Sequence, residues 1–136
     1  MPLPDLGPEL DPAALSVARY PAGWWPPAVL TGYAALVIEP GEVTLVAPDE
    51  AFADLDEPEA IEPGWRRITF AGPLPWEMVG FLADVAGRLA GARIPFTSMS
   101  GFTTDHVLVR AAQADVAVAV LRGSEPPELR PDVTNP

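Results

Sequence analysis

The most regular part of the sequence is residues 64–122, which read GWRRITFAGPLPWEMVGFLADVAGRLAGARIPFTSMSGFTTDHVLVRAAQADVAVAVLR. In its first segment, Trp65–Ala71, polar and apolar side chains alternate from Arg67 to Phe70. Alternate side chains of a strand share one face, and Ile68 and Phe70 fall on the same face. The segment therefore predicts a strand that packs on at least one side.

The next segment, Trp76–Ala90, has the spacing of an amphipathic helix. Apolar side chains recur there at intervals of three and four residues, at Trp76, Val79, Leu82, Val85, Ala86 and Leu89. This interval places them in one stripe along a helix. Gly91 is the predicted end, since glycine commonly follows the last helical turn.

Three further elements follow. Ile94–Met99 and Asp105–Arg110 are predicted strands, and Gln113–Leu121 is a predicted short helix before Gly123. The resulting order of strand, helix, strand, strand, helix is the ferredoxin-like pattern without its last strand.

The sequence of the first half predicts strands and contains few signals for helices. Leu15–Tyr20 is a short strand candidate that Pro21 stops. Leu30–Glu39 and Glu42–Ala47 are apolar runs joined by Pro40-Gly41, a pair that favours a tight turn. These two runs predict a β-hairpin.

Both ends of the chain are rich in proline. The residues concerned are Pro2, Pro4, Pro8 and Pro12 at the start and Pro126, Pro127, Pro131 and Pro136 at the end. Proline lacks the backbone N–H that helices and sheets require, so these segments are poor candidates for regular structure. We therefore expect flexible tails over residues 1–13 and 123–136.

The charge composition excludes several classes of function. Nineteen acids against eight arginines give a net charge of −11, and there is no lysine and no cysteine. Nucleic acids and anionic membranes require a basic face, so neither is expected as a partner. The missing lysine excludes Schiff-base chemistry, and the missing cysteine excludes disulfides and thiol nucleophiles.

The negative charge is concentrated in the first half. Residues 1–62 hold twelve acids and one arginine, whereas residues 63–136 hold seven of each. The densest part is 49–62, with seven acids and no base. We interpret it as a solvated loop in preference to a cation or partner site.

Several short motifs follow one another in order along residues 64–122. They are Gly64-Trp65-Arg66, Gly72-Pro73-Leu74, Gly80-Phe81-Leu82, Leu89-Ala90, and Ser100 followed by Asp105-His106-Val107-Leu108-Val109. Together they resemble small bacterial ACT-domain proteins of the aspartate-kinase and cytosolic arginine-sensor subtype. A weaker similarity to the same family extends over Leu15–Asp49.

The resemblance implies an α+β, ferredoxin-like ACT fold of order βαββαβ. It implies two interdependent ACT-like halves, the first of which is abbreviated and supplies edges that the second lacks. The expected divisions are a tail at 1–13, an N-terminal ACT-like half at 14–62, a C-terminal ACT domain at 63–122 and a tail at 123–136.

The resemblance also implies a ligand class. ACT domains mostly bind amino acids or similar small effectors at interfaces between domains, so a small-molecule effector, a homodimer and a regulated partner protein are expected. No catalysis and no cofactor are expected from the module itself.

One side of the expected site lies just before the predicted helix and in its first turn, at Gly72, Pro73, Leu74, Trp76 and Val79. No Ser, Thr, Asp or Asn stands next to Trp76 as a cap, so the first helical N–H groups lack an obvious side-chain acceptor. A ligand carboxylate would suit them, although Glu77 would compete with it. Water or a neighbouring loop is the alternative cap, and the family resemblance favours the ligand.

The other side is the end of the strand pair, at Met99, Ser100, Gly101, Phe102, Thr103, Thr104 and Asp105. The carboxylate of Asp105 could accept hydrogen bonds from a ligand ammonium or guanidinium group. Its alternative role is to cap the turn. Thr103 and Pro75 stand where many relatives carry aspartate, so the identity of the ligand stays open.

His106 is the single histidine of the chain. Neighbouring strand residues point to opposite faces, so Asp105 and His106 do not form an in-line dyad without a bulge. A single histidine without cysteine is too little for a first-row metal site, and we expect a packed or surface imidazole. No catalytic residues and no metal ligands are assigned.

Two functions remain open. The first is an effector-binding regulatory module that senses an amino acid and acts in trans through its own oligomer or a partner. The alternative is a structural or interaction protein that retains the ACT fold without a ligand. No apolar run long enough to span a membrane and no leader pattern is present, so a cytoplasmic protein is expected.

Overall fold

A computed structural model describes residues 7–27, 29–70 and 80–123. The strands are β1 Glu9–Leu10, β2 Leu15–Pro21, β3 Ala35–Ile38, β4 Glu42–Pro48, β5 Ala60–Thr69, β6 Phe96–Ser100 and β7 Asp105–Arg110. The α-helices are α1 Phe81–Gly91 and α2 Ala114–Leu121, and short 3₁₀ helices cover Asp49–Asp54 and Ala111–Gln113.

The chain divides into two compact units. The N-terminal unit is Pro12–Arg66, and the C-terminal unit combines the described residues of Met1–Asp11 with those of Arg67–Pro136. Strand β5 begins in the first unit, and its last residues, Arg67–Thr69, belong to the second.

The N-terminal unit is built on antiparallel strands. Strand β4 lies between β3 and β2, and β2 pairs on its other edge with the first part of β5. The hairpin predicted around Pro40-Gly41 is confirmed: Leu36 pairs with Leu45, and the Glu39 N–H donates to the Glu42 carbonyl at 3.0 Å. The first strand of that hairpin is shorter than predicted, covering Ala35–Ile38 instead of Leu30–Glu39.

The core of the N-terminal unit lies on one face of these strands. Its buried members are Ala18, Tyr20, Val43, Leu45 and Ala47. Partly buried side chains pack against them from the loop before β3 and from the residues after β4, namely Trp24, Leu30, Leu36, Ala51, Phe52 and Leu55. Burial of each large apolar side chain contributes about 1.5–3 kcal/mol.

The C-terminal unit has the predicted α+β, ferredoxin-like arrangement. Its strand order is β1, β5, β7, β6, and β7 and β6 form an antiparallel hairpin. Side chains of α1, α2 and the strands share one core, which includes Ile68, Val85, Leu89, Val107, Val109, Ala117 and Leu121. Strand β7 has the predicted bounds, and α2 begins one residue later than predicted.

The start of the chain was expected to be a flexible tail, and this is wrong for residues 9–11. Glu9 and Leu10 form β1 and pair antiparallel with Thr69 and Ile68 of β5. The Asp11 carboxylate then accepts a hydrogen bond from Arg67 Nη2 at 2.8 Å. Strand β1 occupies the edge of β5 where the last strand of a ferredoxin-like fold pairs with the first. This segment therefore fills the position that the pattern of residues 64–122 left empty.

The first helix differs from the prediction at its start. Gly80 was expected inside the helix, but it has φ 91° and precedes α1, which begins at Phe81. Glycine adopts this left-handed conformation without a steric penalty, so it marks a boundary here. Leu82, predicted in the buried stripe, is 40% exposed, whereas Phe81 packs edge-on against Phe70 with ring centroids 5.1 Å apart.

The acidic segment 49–62 is not a simple loop. Asp49–Asp54 is a 3₁₀ helix, and Ala60, Ile61 and Glu62 lie in β5. Asp49 is tied to β2, because Ser16 Oγ donates to its carboxylate at 2.7 Å. The seven acids nevertheless lie on exposed positions, as expected of a solvated surface.

Candidate ligand-binding site

The end of the β6–β7 hairpin brings seven of the predicted site residues together. Ser100 and Asp105 face each other as the last pair of the two strands. The connecting turn, residues 101–104, is closed by a hydrogen bond from the Gly101 N–H to the Thr104 carbonyl at 2.9 Å. Met99 lies one position earlier on β6, opposite His106. A short surface turn thus gathers two kinds of group, hydroxyls and a carboxylate.

Asp105 is the charged group of this turn. Its side chain is half-buried, and Oδ1 accepts a hydrogen bond from Ser100 Oγ at 2.6 Å. A carboxylate has about four acceptor positions on its two oxygens, so the bond from Ser100 orients the group without saturating it. Asp105 can therefore accept further hydrogen bonds from a cationic group while Ser100 holds it in place.

The tip of the turn is open to solvent. Phe102 is 84% exposed, and Thr103 is also exposed. A side-chain Cβ at Gly101 would lie 3.4 Å from the Thr104 carbonyl oxygen and 4.0 Å from His106 Cε1, which are ordinary van der Waals distances. The turn thus has room for a small side chain at this position.

His106 is buried below this turn, with 8% of its surface exposed. It is a packed imidazole, one of the two environments expected from the sequence. Burial lowers the pKa of His106 below its ordinary value, the Arg67 guanidinium lowers it further, and the Asp105 carboxylate opposes both effects. The imidazole is therefore predominantly neutral at pH 7.

The pKa of His106 predicts a pH dependence of stability. In the unfolded chain histidine titrates near pH 6.5, above its pKa in the folded protein. As the pH falls below about 6.5 the unfolded chain takes up the proton first, so stability decreases, by at most about 1.4 kcal/mol per pH unit. Urea unfolding of the wild type and of His106→Gln between pH 7.5 and 5 measures this. The difference between the two should shrink as the pH falls, and parallel profiles would contradict the prediction.

The other predicted half of the site lies outside the described residues. This applies to Gly72, Pro73, Leu74, Trp76 and Val79. The helix that was expected to begin at Trp76 begins at Phe81, and its N-cap residue, Gly80, has no side chain to cap the first helical N–H groups. A ligand carboxylate at the start of α1 would therefore meet N–H groups of residues after Gly80.

A second polar and aromatic cluster was not predicted. In the N-terminal unit, Tyr20 and Trp24 stack with ring centroids 3.6 Å apart. Both donate to Asp56: Tyr20 Oη to its carbonyl and Trp24 Nε1 to its carboxylate, each at 2.8 Å. Asp56 is more than 30 positions away in sequence, so no local pattern indicates this contact. Together these contacts link Trp24 and Asp56 to Tyr20 in the core, so the cluster has a structural role.

The described part of the chain contains neither a metal-binding cluster nor a membrane-spanning helix. Among residues 7–27, 29–70 and 80–123, no group of three or more acidic or histidine side chains is arranged to hold a metal ion. None of the helices in those ranges is long and apolar enough to cross a membrane.

Comparison with known proteins gives matches to a domain family and to solved structures. Residues 60–123 match the family model of the ACT domain. No curated protein sequence gives a significant match.

The solved structures are similar over most of the chain. A protein from Agobacterium tumefaciens has 22% identity and a TM-score of 0.75, over 90% of this chain and 92% of that one. A Vibrio cholerae protein of unknown function, described as a possible transport protein, has 25% identity and a TM-score of 0.68, over 89% and 91%. The regulatory subunit of aspartate kinase from Thermus thermophilus, in a ligand-free form, has 10% identity and a TM-score of 0.61, over 85% and 94%. The chain therefore has the ferredoxin-like ACT fold, and residues 60–123 carry the match to the ACT-domain family.

Proposed function

We propose that this chain is a regulatory module that binds a small-molecule effector, an amino acid, and catalyses no reaction itself. The observation that carries the proposal is the match of residues 60–123 to the ACT domain together with the polar turn at the end of its β6–β7 hairpin. Regulation would act in trans, through a homodimer or on a partner protein.

The chemistry of the turn supports an amino-acid ligand. An α-amino acid presents an ammonium group, a carboxylate and a side chain, so its site needs an acceptor, donors and a shaped surface. Asp105, held by Ser100 at 2.6 Å, supplies the acceptor for the ammonium or guanidinium group. Hydroxyls of Thr103 and Thr104 and the ring of Phe102 lie beside it in the same turn.

The carboxylate of the ligand is assigned to the other half of the predicted site, residues 72–79, with the N–H groups at the start of α1. Helix N-termini favour anions, by roughly 0.3–2 kcal/mol. Among the similar solved structures, the Thermus thermophilus protein is a regulatory subunit of aspartate kinase. We propose the same type of role, regulation of a separate protein, for this chain.

The proposal predicts a change in thermal stability with an amino acid. A ligand present at 100 times its dissociation constant adds about 2.7 kcal/mol to the free energy of unfolding. Thermal unfolding with each of the twenty amino acids at millimolar concentration should therefore raise the melting temperature with at least one of them. If none does so, the sensor proposal is wrong.

Asp105→Ala should abolish that response, because the substitution removes the acceptor for the cationic group. Asp115→Ala is the matched control, since Asp115 is exposed on α2 and lies outside the turn. Asp105→Asn keeps the shape and the bond to Ser100 if the alanine variant does not fold. A full response in Asp105→Asn would show that another group is the acceptor.

The alternative function is assembly without a ligand. It is favoured by the exposed apolar side chains on β3, the edge strand of the N-terminal unit, where Val37 is 42% and Ile38 is 60% exposed. Such an edge can pair with another strand. A dimer in solution whose melting temperature responds to no amino acid would favour this function.

A further inference from the structure

The N-terminal unit contains a cavity that the ACT resemblance does not account for. It has a volume of about 150 Å³ and opens to solvent. Its apolar wall is formed by Leu30 from the loop before β3, Pro48 at the end of β4, and Ala51 and Leu55 after it. Two acidic side chains, Glu50 and Asp54, also line it.

The walls of this cavity are held by the core and by the 3₁₀ helix. Leu30, Ala51 and Leu55 pack against the buried cluster of the unit. The start of the 3₁₀ helix is fixed by the Asp49 N–H, which donates to the Ala14 carbonyl at 3.0 Å, and by Ser16, which donates to the Asp49 carboxylate. The cavity is therefore part of the folded unit and not a gap between loose loops.

The electrostatics of the cavity favour a cation. The side chains of Glu50 and Asp54 have no hydrogen bond or ion pair with any of the described residues. The N-terminal unit holds nine acids and two arginines, a net charge of −7. One of those arginines, Arg19, is paired with Glu59 at 3.5 Å. Charge complementarity thus selects a positively charged occupant.

We propose that this cavity binds a compact primary ammonium ion carried on a short branched apolar chain. A cavity of this volume accommodates an organic group of about six heavy atoms. The apolar part of the ligand contacts Leu30, Pro48, Ala51 and Leu55, and the ammonium group lies between Glu50 and Asp54.

The same two carboxylates would repel the carboxylate of an amino acid. The cavity therefore selects an amine over the corresponding amino acid, and it differs in ligand class from the turn at Ser100–Asp105. The proposal goes beyond the amino-acid-binding function and does not depend on it.

Three small molecules of similar shape and different charge test this proposal. They are 3-methylbutylammonium, the neutral 3-methylbutan-1-ol and the anion 3-methylbutanoate, which share one five-carbon skeleton, each titrated into the full ¹⁵N-labelled chain. The ammonium ion should shift the backbone amide signals of residues 29–31 and 50–55 with the highest affinity, and 3-methylbutanoate should give no saturable shift. Equal or tighter binding of the alcohol or the anion would overturn the proposal.

Two double variants distinguish binding in the cavity from attraction to the overall negative charge of the unit. In Glu50→Gln/Asp54→Asn, affinity for the ammonium ion should fall about five- to thirtyfold, and affinity for the alcohol should stay unchanged. Glu39→Gln/Glu42→Gln removes the same two charges from the same unit away from the cavity and should weaken binding less than about twofold. An equal loss in both double variants would overturn the assignment to this cavity.

Discussion

Replacing Tyr20 by alanine is expected to lower the free energy of unfolding by about 3–5 kcal/mol, as is typical when a buried aromatic side chain is truncated. Tyr20 is fully buried in the core of the N-terminal unit. The substitution removes its stacking on Trp24, at a centroid distance of 3.6 Å, and its hydrogen bond to the Asp56 carbonyl. Urea unfolding followed by circular dichroism measures the loss.

Tyr20→Phe is the control for this substitution. It keeps the ring and the stack and removes the hydroxyl group, so the expected loss is about 0.5–1.5 kcal/mol. The difference between the two variants isolates the contribution of the ring. A loss below about 1 kcal/mol in Tyr20→Ala would show that the cluster of Tyr20, Trp24 and Asp56 does not stabilise the core of this unit.

Replacing Leu89 by alanine is expected to lower the free energy of unfolding by about 2–5 kcal/mol. Leu89 is fully buried on α1 and belongs to the core that joins both helices to the strands of the C-terminal unit. Alanine retains the backbone, so the hydrogen bond from the Ile94 N–H to the carbonyl of residue 89 persists. The loss then reports the cavity left by the side chain.

Leu82→Ala is the matched control on the same helix. Leu82 is 40% exposed, and its truncation removes the same atoms from a more solvated position. A loss below about 1.5 kcal/mol is expected for it. Equal losses in the two variants would contradict the orientation of α1, because the face that carries Leu89 would then be no more buried than the face that carries Leu82.

Much of the C-terminal unit could be predicted because its elements have clear local patterns. The run Asp105–Arg110 follows a turn that contains Gly101, and it predicted β7 with its observed limits. The predicted stripe on α1 included Val85 and Leu89, and both are buried. The start of α1 was missed because apolar spacing continues upstream through Trp76, whereas Gly80 adopts a positive φ that the spacing does not reveal.

Strand β1 could not be predicted from local sequence. Glu9 pairs with Thr69, a residue 60 positions away, and the prolines at the start of the chain indicate a tail. Pairing over this distance depends on the open edge of β5 and on the bond between Asp11 and Arg67. The pattern of residues 64–122 indicated that an edge strand was missing, but it did not identify the segment that fills it.

The two candidate sites also differ in how far the sequence predicts them. Ser100 and Asp105 are close in sequence, and the two flanking strands predicted that a turn would bring them together. The cavity in the N-terminal unit combines the loop at Leu30 with the 3₁₀ helix after β4. The density of acids in 49–62 predicted a solvated loop. A charge pattern does not show which apolar segment packs beside it, so the cavity was not predicted.

The most direct test of the proposed function is a map of where an amino acid binds. The ¹⁵N-labelled chain is titrated with the amino acid that raises the melting temperature most, and backbone amide shifts are recorded. We predict saturable shifts at residues 99–105 and at the start of α1, and their loss in Asp105→Ala. Saturable shifts confined to residues 29–31 and 48–55, or no saturable shifts with any of the twenty amino acids, would contradict the proposal.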